Sequence, residues 1–332
     1  MDAVPRPPAF ADILDAAERL RAPALVTPLL ESPLLNERLG GRVLVKAEPL
    51  QRTGSFKFRG AFNNIAHLDA EPCSRGVVTY SSGNHAQGVA AAAKMLGVAA
   101  TIVMPDDAPR VKVESTRAWG ARVVAYDRAR ESREARAREI AEATGAALVP
   151  PFDHPMTIAG QGTVGLEIAA ALGEREIVPD AVLVPCGGGG LIAGVALALA
   201  ETLPGVPVHA VEPEGYDDTR RSLASGERER AKDGAETFCD ALRAPMPGAL
   251  TFSLNRRLLA GGFAVSDAEV GRAMAVAFRD LKLVIEPGGA VALAAVLAGR
   301  LPVAGRTLVV VASGGNVDPE TFAAALASEA QP

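Results

Sequence analysis

Four short segments of the chain contain residue types that together can hold a phosphate and form a bond to an aldehyde. The first is 55–60 (SFKFRG), in which Lys57 stands between two phenylalanines. The other three are 81–85 (SSGNH), 187–190 (GGGG) and 313–316 (SGGN). An apolar cover lowers the pKa of a lysine, so that its neutral amine becomes a nucleophile toward an aldehyde. A lone lysine more often reaches solvent past neighbouring rings, so the interpretation depends on the four segments together.

The glycine run predicts a phosphate site. Gly187, Gly188, Gly189 and Gly190 follow an apolar run that predicts a strand and precede an apolar run that predicts a helix. Backbone N–H groups converge in such a loop, and the helix dipole adds partial positive charge. A tight turn is the alternative, but four consecutive glycines exceed what a turn needs. The spacing fits neither the dinucleotide fingerprint nor a Walker loop.

Two further segments place polar groups at the ends of predicted strands. Ser313 follows the apolar run 307–311, so its hydroxyl should emerge at the carboxyl edge of a sheet, although a turn role is equally possible. Asn84 and His85 begin a predicted helix, whose free N–H groups suit a substrate carboxylate. Capping of this helix by Ser82 or Asn84 is the alternative. An amine, a phosphate cradle, an aromatic cover and a hydroxyl for a ring nitrogen are what pyridoxal phosphate needs.

The elements that position these segments alternate along the chain. Strands are predicted at 43–45, 76–80, 100–104, 121–125, 181–184, 208–211 and 307–311. Helices are predicted at 58–68, 84–96 and 110–119, and after Gly190, Asp267 and Pro287. This rhythm predicts βαβ units, and the continuous apolar strands indicate helices on both sheet faces. We expect two α/β lobes with a ligand between them, and an irregular connection over 220–248.

Bulk composition excludes several classes of function. The 332 residues carry a net charge of −5 with no basic stripe, which argues against nucleic acid as a partner. No apolar run approaches the ~20 residues that span a bilayer, and the first residues lack the pattern of a secretion signal. We therefore expect a cytoplasmic protein. Cys73, Cys186 and Cys239 are too few and too scattered for a disulfide framework or a zinc cluster.

At the level of whole motifs, the chain resembles the fold-type II pyridoxal-phosphate enzymes, within the threonine/serine dehydratase and serine racemase family. The resemblance runs from 51–57 (QRTGSFK) through 159–163 (AGQGT) and Glu286-Pro287 to 313–318 (SGGNVD). It implies a two-lobed α/β fold like the tryptophan synthase beta subunit, with parallel sheets flanked by helices. A discontinuous large cofactor-binding domain would comprise 1–75 and 154–332, and a small domain 76–153. It also implies a homodimer.

The same resemblance assigns roles to the site residues. Lys57 would bind the cofactor covalently, Asn84 its phenolic oxygen, Gly187 to Gly190 its phosphate and Ser313 its pyridine nitrogen. Phe56 would pack on one ring face. The loop containing Ser81, Ser82, Asn84 and His85 would hold the substrate carboxylate.

These roles imply a β-elimination. Lys57 would remove the Cα proton, the β-hydroxyl would leave, and hydrolysis would yield a 2-keto acid and ammonia. A neutral Ser313 hydroxyl would not hold the pyridine nitrogen protonated, which favours elimination. We expect an L-threonine/L-serine ammonia-lyase, with a 3-hydroxyaspartate dehydratase or a serine racemase as the alternative within the family. A catalytically silent pyridoxal-phosphate-binding protein is the alternative of another class, disfavoured because the full set of site residues is present.

Several residues bear on the substrate and on a metal. Ser82 could reprotonate Cα on the ring face opposite Lys57, as in a serine racemase. Arg133 matches an arginine of racemases and 3-hydroxyaspartate dehydratases that can bind an acidic side chain, although a solvated surface arginine is the favoured interpretation. Glu212, Tyr216 and Asp218 match a divalent-cation site suited to Mg²⁺ or Ca²⁺, with a solvated acidic loop as the alternative.

Overall fold

Two sheets built mainly from parallel strands form the scaffold. The computed structural model describes residues 6–108, 110–127 and 130–328. The larger sheet has the order β1-β2-β10-β7-β8-β9, and all its pairs are parallel except β1 with β2. Its strands are β1 Leu29–Glu31, β2 Arg42–Ala47, β7 Ala181–Pro185, β8 Val208–Pro213, β9 Gly261–Val265 and β10 Thr307–Ala312. The smaller, wholly parallel sheet has the order β5-β4-β3-β6. Its strands are β3 Val77–Tyr80, β4 Ala100–Pro105, β5 Arg122–Tyr126 and β6 Ala147–Leu148.

Helices cover both sheets. They are α1 Phe10–Leu20, α2 Pro33–Leu39, α3 Lys57–Ala66, α4 Ala70–Arg75, α5 Asn84–Leu96, α6 Arg110–Ala118, α7 Arg133–Thr144, α8 Pro155–Gly173, α9 Gly190–Thr202, α10 Asp218–Ser225, α11 Ala249–Leu258, α12 Asp267–Val276, α13 Pro287–Leu297 and α14 Pro319–Ser328. Short 3₁₀ turns lie at Glu48–Leu50, Arg52–Gly54 and Asp240–Leu242, and a π-helical turn at Ala277–Leu281. Across the described ranges, none of these helices combines the length and apolarity that a membrane crossing requires.

The apolar strands are buried on both faces, as their continuous runs predict. On β2, Val43 and Val45 pack into one core cluster with α12 and α13, whereas Leu44 packs into a second with α8 and α9. Strands β7 and β10 alternate in the same way, with Leu183 in the first cluster and Val182 in the second. The predicted parallel α/β architecture is therefore confirmed.

The sequence missed some elements. Strands β1, β6 and β9 were not predicted: β1 and β6 have three and two residues, and β9 begins with two glycines. The prediction of an irregular segment over 220–248 was wrong at its start, because α10 extends to Ser225. The domain limits at 75 and 153 stay a prediction. Side chains of α3, including Phe58 and Phe62, pack into the same cluster as the alanines of α5.

A buried network of charges anchors α3 to the rest of the fold. Arg59 donates to both carboxylate oxygens of Glu48, each at 2.8 Å, and to those of Glu167 at 2.6 and 2.9 Å. Lys46 donates to Glu167 at 2.5 Å and to the carbonyl of Thr27. Arg59, Glu48 and Lys46 are at most 1% exposed. Because Arg59 lies two residues after Lys57, this network fixes the start of α3 against β2 and α8.

Candidate active site

All four predicted segments line one cavity of about 480 Å³. Segment 81–85 follows β3, segment 187–190 follows β7 with one residue between, and Ser313 follows β10 directly. The carboxyl ends of parallel strands in both sheets therefore face this cavity, which is where α/β folds bind ligands. Tertiary folding brings together the candidate cofactor and substrate residues, from Phe56 and Lys57 to Arg133 and Ser313.

Lys57 is a half-buried residue at the first position of α3. Its Nζ donates to the carbonyl of Pro151 at 2.8 Å and lies 5.2 Å from the ring centroid of Phe56. Burial lowers the pKa of Lys57 to about 8, while the charge of Glu286 acts in the opposite direction. With that pKa, roughly a tenth of the amine is neutral at pH 7. The side chain meets the requirement for a nucleophilic lysine.

The glycine loop has no room for side chains. A Cβ on Gly188 would meet the ring of Phe152, and one on Gly190 would lie 2.9 Å from Phe152 Cβ. Gly189 has φ +91°, which favours glycine. Thr251 Oγ1 donates to the Gly188 carbonyl at 2.7 Å. The loop is thus a fixed backbone cradle at the start of the 13-residue α9, a position suited to a phosphate.

The amide of Asn84 is held between two residues that are distant in sequence. Its Nδ2 donates to Glu286 Oε1 at 2.5 Å, and its Oδ1 accepts from Asn316 Nδ2 at 2.7 Å. Both partners line the cavity beside Ser313, which is 5% exposed. The backbone carbonyl of Ser313 accepts from the N–H of Phe56 at 3.1 Å, so the end of β10 is joined to the start of α3.

The loop before α5 does not cap the helix with a side chain. The N-cap is Gly83 without a side-chain hydrogen bond, so the capping alternative for Ser82 was wrong. Ser81 Oγ accepts from the N–H of Gly83 at 3.2 Å. The ring of His85 is buried against the Val149 carbonyl, and burial lowers its pKa to about 3. A neutral His85 adds no charge for a substrate carboxylate, which leaves backbone N–H groups and the serine hydroxyls as donors.

Arg133 lies in the cavity wall, against the favoured interpretation of it as a solvated surface residue. It is the first residue of α7, and its guanidinium lies 5.7 Å from the ring centroid of Tyr80. Its Nε is 2.9 Å from Glu134 Oε1, and its side chain is 39% exposed. It also borders a small recess of about 60 Å³ with Ser81, Ser82 and Tyr126. One end of the cavity therefore presents a cation.

The proposed metal ligands form a buried acidic pair. Both oxygens of Glu212 accept backbone N–H groups of Thr219 and Arg220, at 2.9 and 2.8 Å. Burial, and then the charge of Asp218, raise the pKa of Glu212 to about 8. Burial also raises the pKa of Asp218 to about 7. The Oδ2 atom of Asp218 is buried and has no hydrogen-bond partner. The described part of the chain contains no cluster of three or more His, Cys, Asp or Glu side chains suited to a metal, so a carbonyl such as that of Tyr216 would have to contribute.

The cavity is also lined by residues that were not predicted as site residues, among them Glu286, Asn316, Tyr80 and Phe152. Glu286 and Asn316 lie within motifs that the resemblance includes, so their position in sequence was the available signal. Tyr80 and Phe152 carry no such signal: one ends β3, and the other lies in a loop after β6.

The residues present fit pyridoxal phosphate. The glycine cradle suits its phosphate, the half-buried Lys57 its aldehyde, Phe56 its ring, and Asn84 and Ser313 its polar ring atoms. The cavity volume of about 480 Å³ lies within the range of small-molecule sites, about 300–1,000 Å³.

Comparisons with known proteins agree with this geometry. A family model described as pyridoxal-phosphate dependent enzyme matches residues 21–314. The chain is 41% identical to L-threo-3-hydroxyaspartate ammonia-lyase of Saccharomyces cerevisiae over 95% of each protein. It is 44% identical to L-threonine ammonia-lyase of Thermotoga maritima, over 92% of this chain and 75% of that protein. The structure of maize serine racemase superimposes with a TM-score of 0.89 at 37% identity, covering 98% and 99% of the two chains. With this match over most of its length, the chain belongs to the fold-type II family of pyridoxal-phosphate dependent enzymes.

Proposed function

We propose that the protein is an ammonia-lyase that converts β-hydroxy-α-amino acids to 2-keto acids and ammonia. The observation that carries this proposal is the half-buried Lys57 amine, which shares one cavity with the glycine cradle, the 81–85 loop and Ser313. Pyridoxal phosphate, when bound, supplies a conjugated ring that absorbs the negative charge developing at Cα.

The chain's own residues position the substrate and move its proton. The Ser81 and Ser82 hydroxyls and the N–H groups at the start of α5 bind the substrate carboxylate. Lys57, whose pKa burial lowers to about 8, takes the proton from Cα as a neutral amine. Ser313 offers a neutral hydroxyl to the ring nitrogen, which limits charge storage on the ring and favours loss of the β-hydroxyl.

For the substrate, Arg133 favours an acidic side chain. The sequence alone led us to expect L-threonine and L-serine, which undergo the same elimination and remain candidate substrates. Arg133 borders the cavity next to Ser81 and Ser82, and a guanidinium binds a carboxylate through two parallel hydrogen bonds. We therefore propose 3-hydroxyaspartate as the preferred substrate, in line with the similarity to the yeast enzyme of that name.

Kinetics on the cofactor-loaded protein test both the ammonia-lyase activity and the preference for 3-hydroxyaspartate. L-threo-3-hydroxyaspartate, L-threonine and L-serine are each supplied, and keto acid and the chirality of the remaining amino acid are measured together. The variants are Arg133→Met and, as a matched control, Arg138→Met, which removes an exposed arginine from the same helix.

Loss of a charge-assisted contact costs about 1.5–3 kcal/mol, so Arg133→Met should lower kcat/KM for 3-hydroxyaspartate about 10- to 100-fold. Activity on L-threonine should change by less than about threefold, and Arg138→Met should leave both substrates unaffected. Equal losses on both substrates would refute the specificity role. Cofactor binding without keto acid from any substrate would refute the ammonia-lyase, and D-serine as the main product would indicate a racemase that uses Ser82.

We also propose a divalent cation, Mg²⁺ or Ca²⁺, at Glu212, Asp218 and the backbone carbonyl of Tyr216. The unpartnered Asp218 Oδ2 and the raised pKa values of two adjacent buried acids support it, because a cation would offset their repulsion. Magnesium should raise the Tm of the wild-type protein and of Asp15→Ala, an exposed control, but not of Asp218→Ala. The same magnesium response in all three proteins would contradict the site.

A further inference from the structure

A chain of hydrogen bonds fixes the orientation of the Asn84 amide. Asn316 Nδ2 donates to the carbonyl of Thr53 and to Asn84 Oδ1, both at 2.7 Å. Asn84 Nδ2 in turn donates to Glu286 Oε1 at 2.5 Å. The partners of Asn84 are 232 and 202 residues away along the chain, so the relay joins the start of α5 to the loop after β10 and to the start of α13.

Only one direction of this relay pairs every donor with an acceptor. If the Asn316 amide turned by 180°, its oxygen would face the oxygens of Thr53 and Asn84. Asn316 Oδ1 lies against Gly54, where an added Cβ would be only 2.5 Å away, so the side chain has little space to move. Asn84 must therefore present Oδ1 to Asn316, and its Nδ2 faces Glu286 and the cavity.

Glu286 is placed to hold Asn84 and not to begin its own helix. It occupies the N-cap position of α13 but makes no capping hydrogen bond with its side chain. Its side chain occupies space that is available because Gly314 lacks a Cβ, and the residue is 3% exposed. The carboxyl of Glu286 thus accepts a hydrogen bond from Asn84 and does not cap the N–H groups at the start of α13.

The charged groups facing Glu286 leave it without a neutralising contact. Lys57 approaches from α3, Lys112 from α6 and Asp240 from the 3₁₀ turn. Lys57 donates to the Pro151 carbonyl, and Lys112 donates to Asp240 at 2.5 Å, so those two opposite charges largely offset each other. Within the described ranges, no cation forms an ion pair with Glu286. Burial therefore raises the pKa of Glu286 to about 8, with Asp240 acting in the same direction and Asn84, Lys112 and Lys57 against it.

We propose that Glu286 is a positioning residue that holds the Asn84 amide with Nδ2 toward the phenolic oxygen of the cofactor, and that it does so as a neutral acid. This inference rests on the proposed function, in which pyridoxal phosphate binds in the cavity and Asn84 faces its phenolic oxygen. A neutral carboxyl accepts from Asn84 without placing a second negative charge beside a phenolate, whereas an ionised one would repel it.

The test compares the spectra of bound cofactor in variants that separate geometry from charge. Glu286→Gln keeps an acceptor for Asn84 but cannot ionise, Glu286→Ala removes the acceptor, and Asn316→Ala removes the donor on the other side of Asn84. Glu201→Gln, at an exposed position on α9, is the control for removing a glutamate. Each protein is loaded with pyridoxal phosphate, and absorbance and circular dichroism of the bound cofactor are followed from about pH 6 to about pH 9.5.

The wild-type and Glu201→Gln spectra should change through a midpoint near pH 8, and Glu286→Gln should match the wild-type spectrum at pH 6 and stay constant. Glu286→Ala and Asn316→Ala should both shift the absorbance band at every pH and release the cofactor about tenfold faster, because Asn84 is free to turn. A Glu286→Gln protein that titrates like the wild type would overturn the proposal, as would unchanged spectra in both alanine variants.

These readouts do not depend on turnover. A protein that shows the expected spectra but forms no keto acid would contradict the proposed function and support the role of Glu286. A wild-type protein that does not bind pyridoxal phosphate would overturn both.

Discussion

Replacing Arg59 by methionine should destabilise the protein strongly. Arg59 is 1% exposed and Glu48 is fully buried, and their contact is bidentate with both distances at 2.8 Å. After the substitution, Glu167 keeps Lys46 as a partner at 2.5 Å, whereas Glu48 keeps the Thr27 hydroxyl and the nearby charge of Lys46. Removing one partner of a buried ion pair costs about 3–5 kcal/mol, because a charge is left buried and unpaired.

The stability lost in Arg59→Met should increase with pH. In the wild type, Arg59 opposes the effect of burial and lowers the pKa of Glu48 below its ordinary value of 4.5. The pair's stabilisation is therefore present above that value and is lost as the pH falls through the folded pKa. Without Arg59, the effect of burial is opposed by Lys46 and the Thr27 hydroxyl, so the pKa of Glu48 should rise and the variant should lose stability as the pH rises above 4.5. The deficit of Arg59→Met should be larger at pH 8 than at pH 5.

Urea unfolding followed by far-ultraviolet circular dichroism measures the difference. Arg42→Met is the matched control, because Arg42 also pairs bidentately with a glutamate, Glu31, but its side chain is 41% exposed. Such an exposed pair contributes about 0–1 kcal/mol. Adding Glu48→Gln to Arg59→Met should recover about 1–2 kcal/mol, because it removes the unpaired charge. If Arg59→Met lost no more stability than Arg42→Met, the buried network would not hold α3 as argued.

Three further predictions concern the cofactor. Lys57→Ala should abolish the absorbance of the covalently bound cofactor and all turnover, whereas Lys94→Ala, at an exposed position on α5, should not; an unchanged spectrum in Lys57→Ala would remove Lys57 from the mechanism. Because capture of the aldehyde needs a neutral amine, the rate at which the wild-type apoprotein binds pyridoxal phosphate should rise with pH up to about 8 and then level off. Gly188→Ala should weaken cofactor binding about tenfold or more, since Phe152 and the loop must shift; Gly173→Ala, where a Cβ meets nothing within 4 Å, is the control in an equilibrium titration.

Local pattern was sufficient for much of the fold. Strands β2, β3, β4, β7 and β10 and helices α5 and α9 begin or end within about two residues of the predictions. Their apolar runs and glycine boundaries are properties of neighbouring residues. Strands β1 and β9 depend on pairing with β2 and β8, which the residues within each short strand do not encode.

Arg133 shows the limit of local reasoning at the site. Its neighbours in sequence are polar and charged, so the favoured interpretation was a surface arginine. The structure places the start of α7 beside Tyr80 at the end of β3, which turns the guanidinium toward the cavity. Capping by Ser82 was an alternative in the sequence, and the structure excludes it because Gly83 occupies the N-cap of α5 without a side-chain hydrogen bond.

By itself, the sequence predicted the parallel α/β architecture, because short apolar runs alternate with helical segments along the chain, and its motifs supplied the candidate cofactor residues through the family resemblance. Only the tertiary structure decided which polar groups bond to each other and which side chains have shifted pKa values. Asn84, Glu286 and Asn316 meet only after chain segments more than two hundred residues apart pack together. Burial then raises the pKa of Glu286 and lowers that of Lys57, a change that depends on the surrounding protein and not on either residue type.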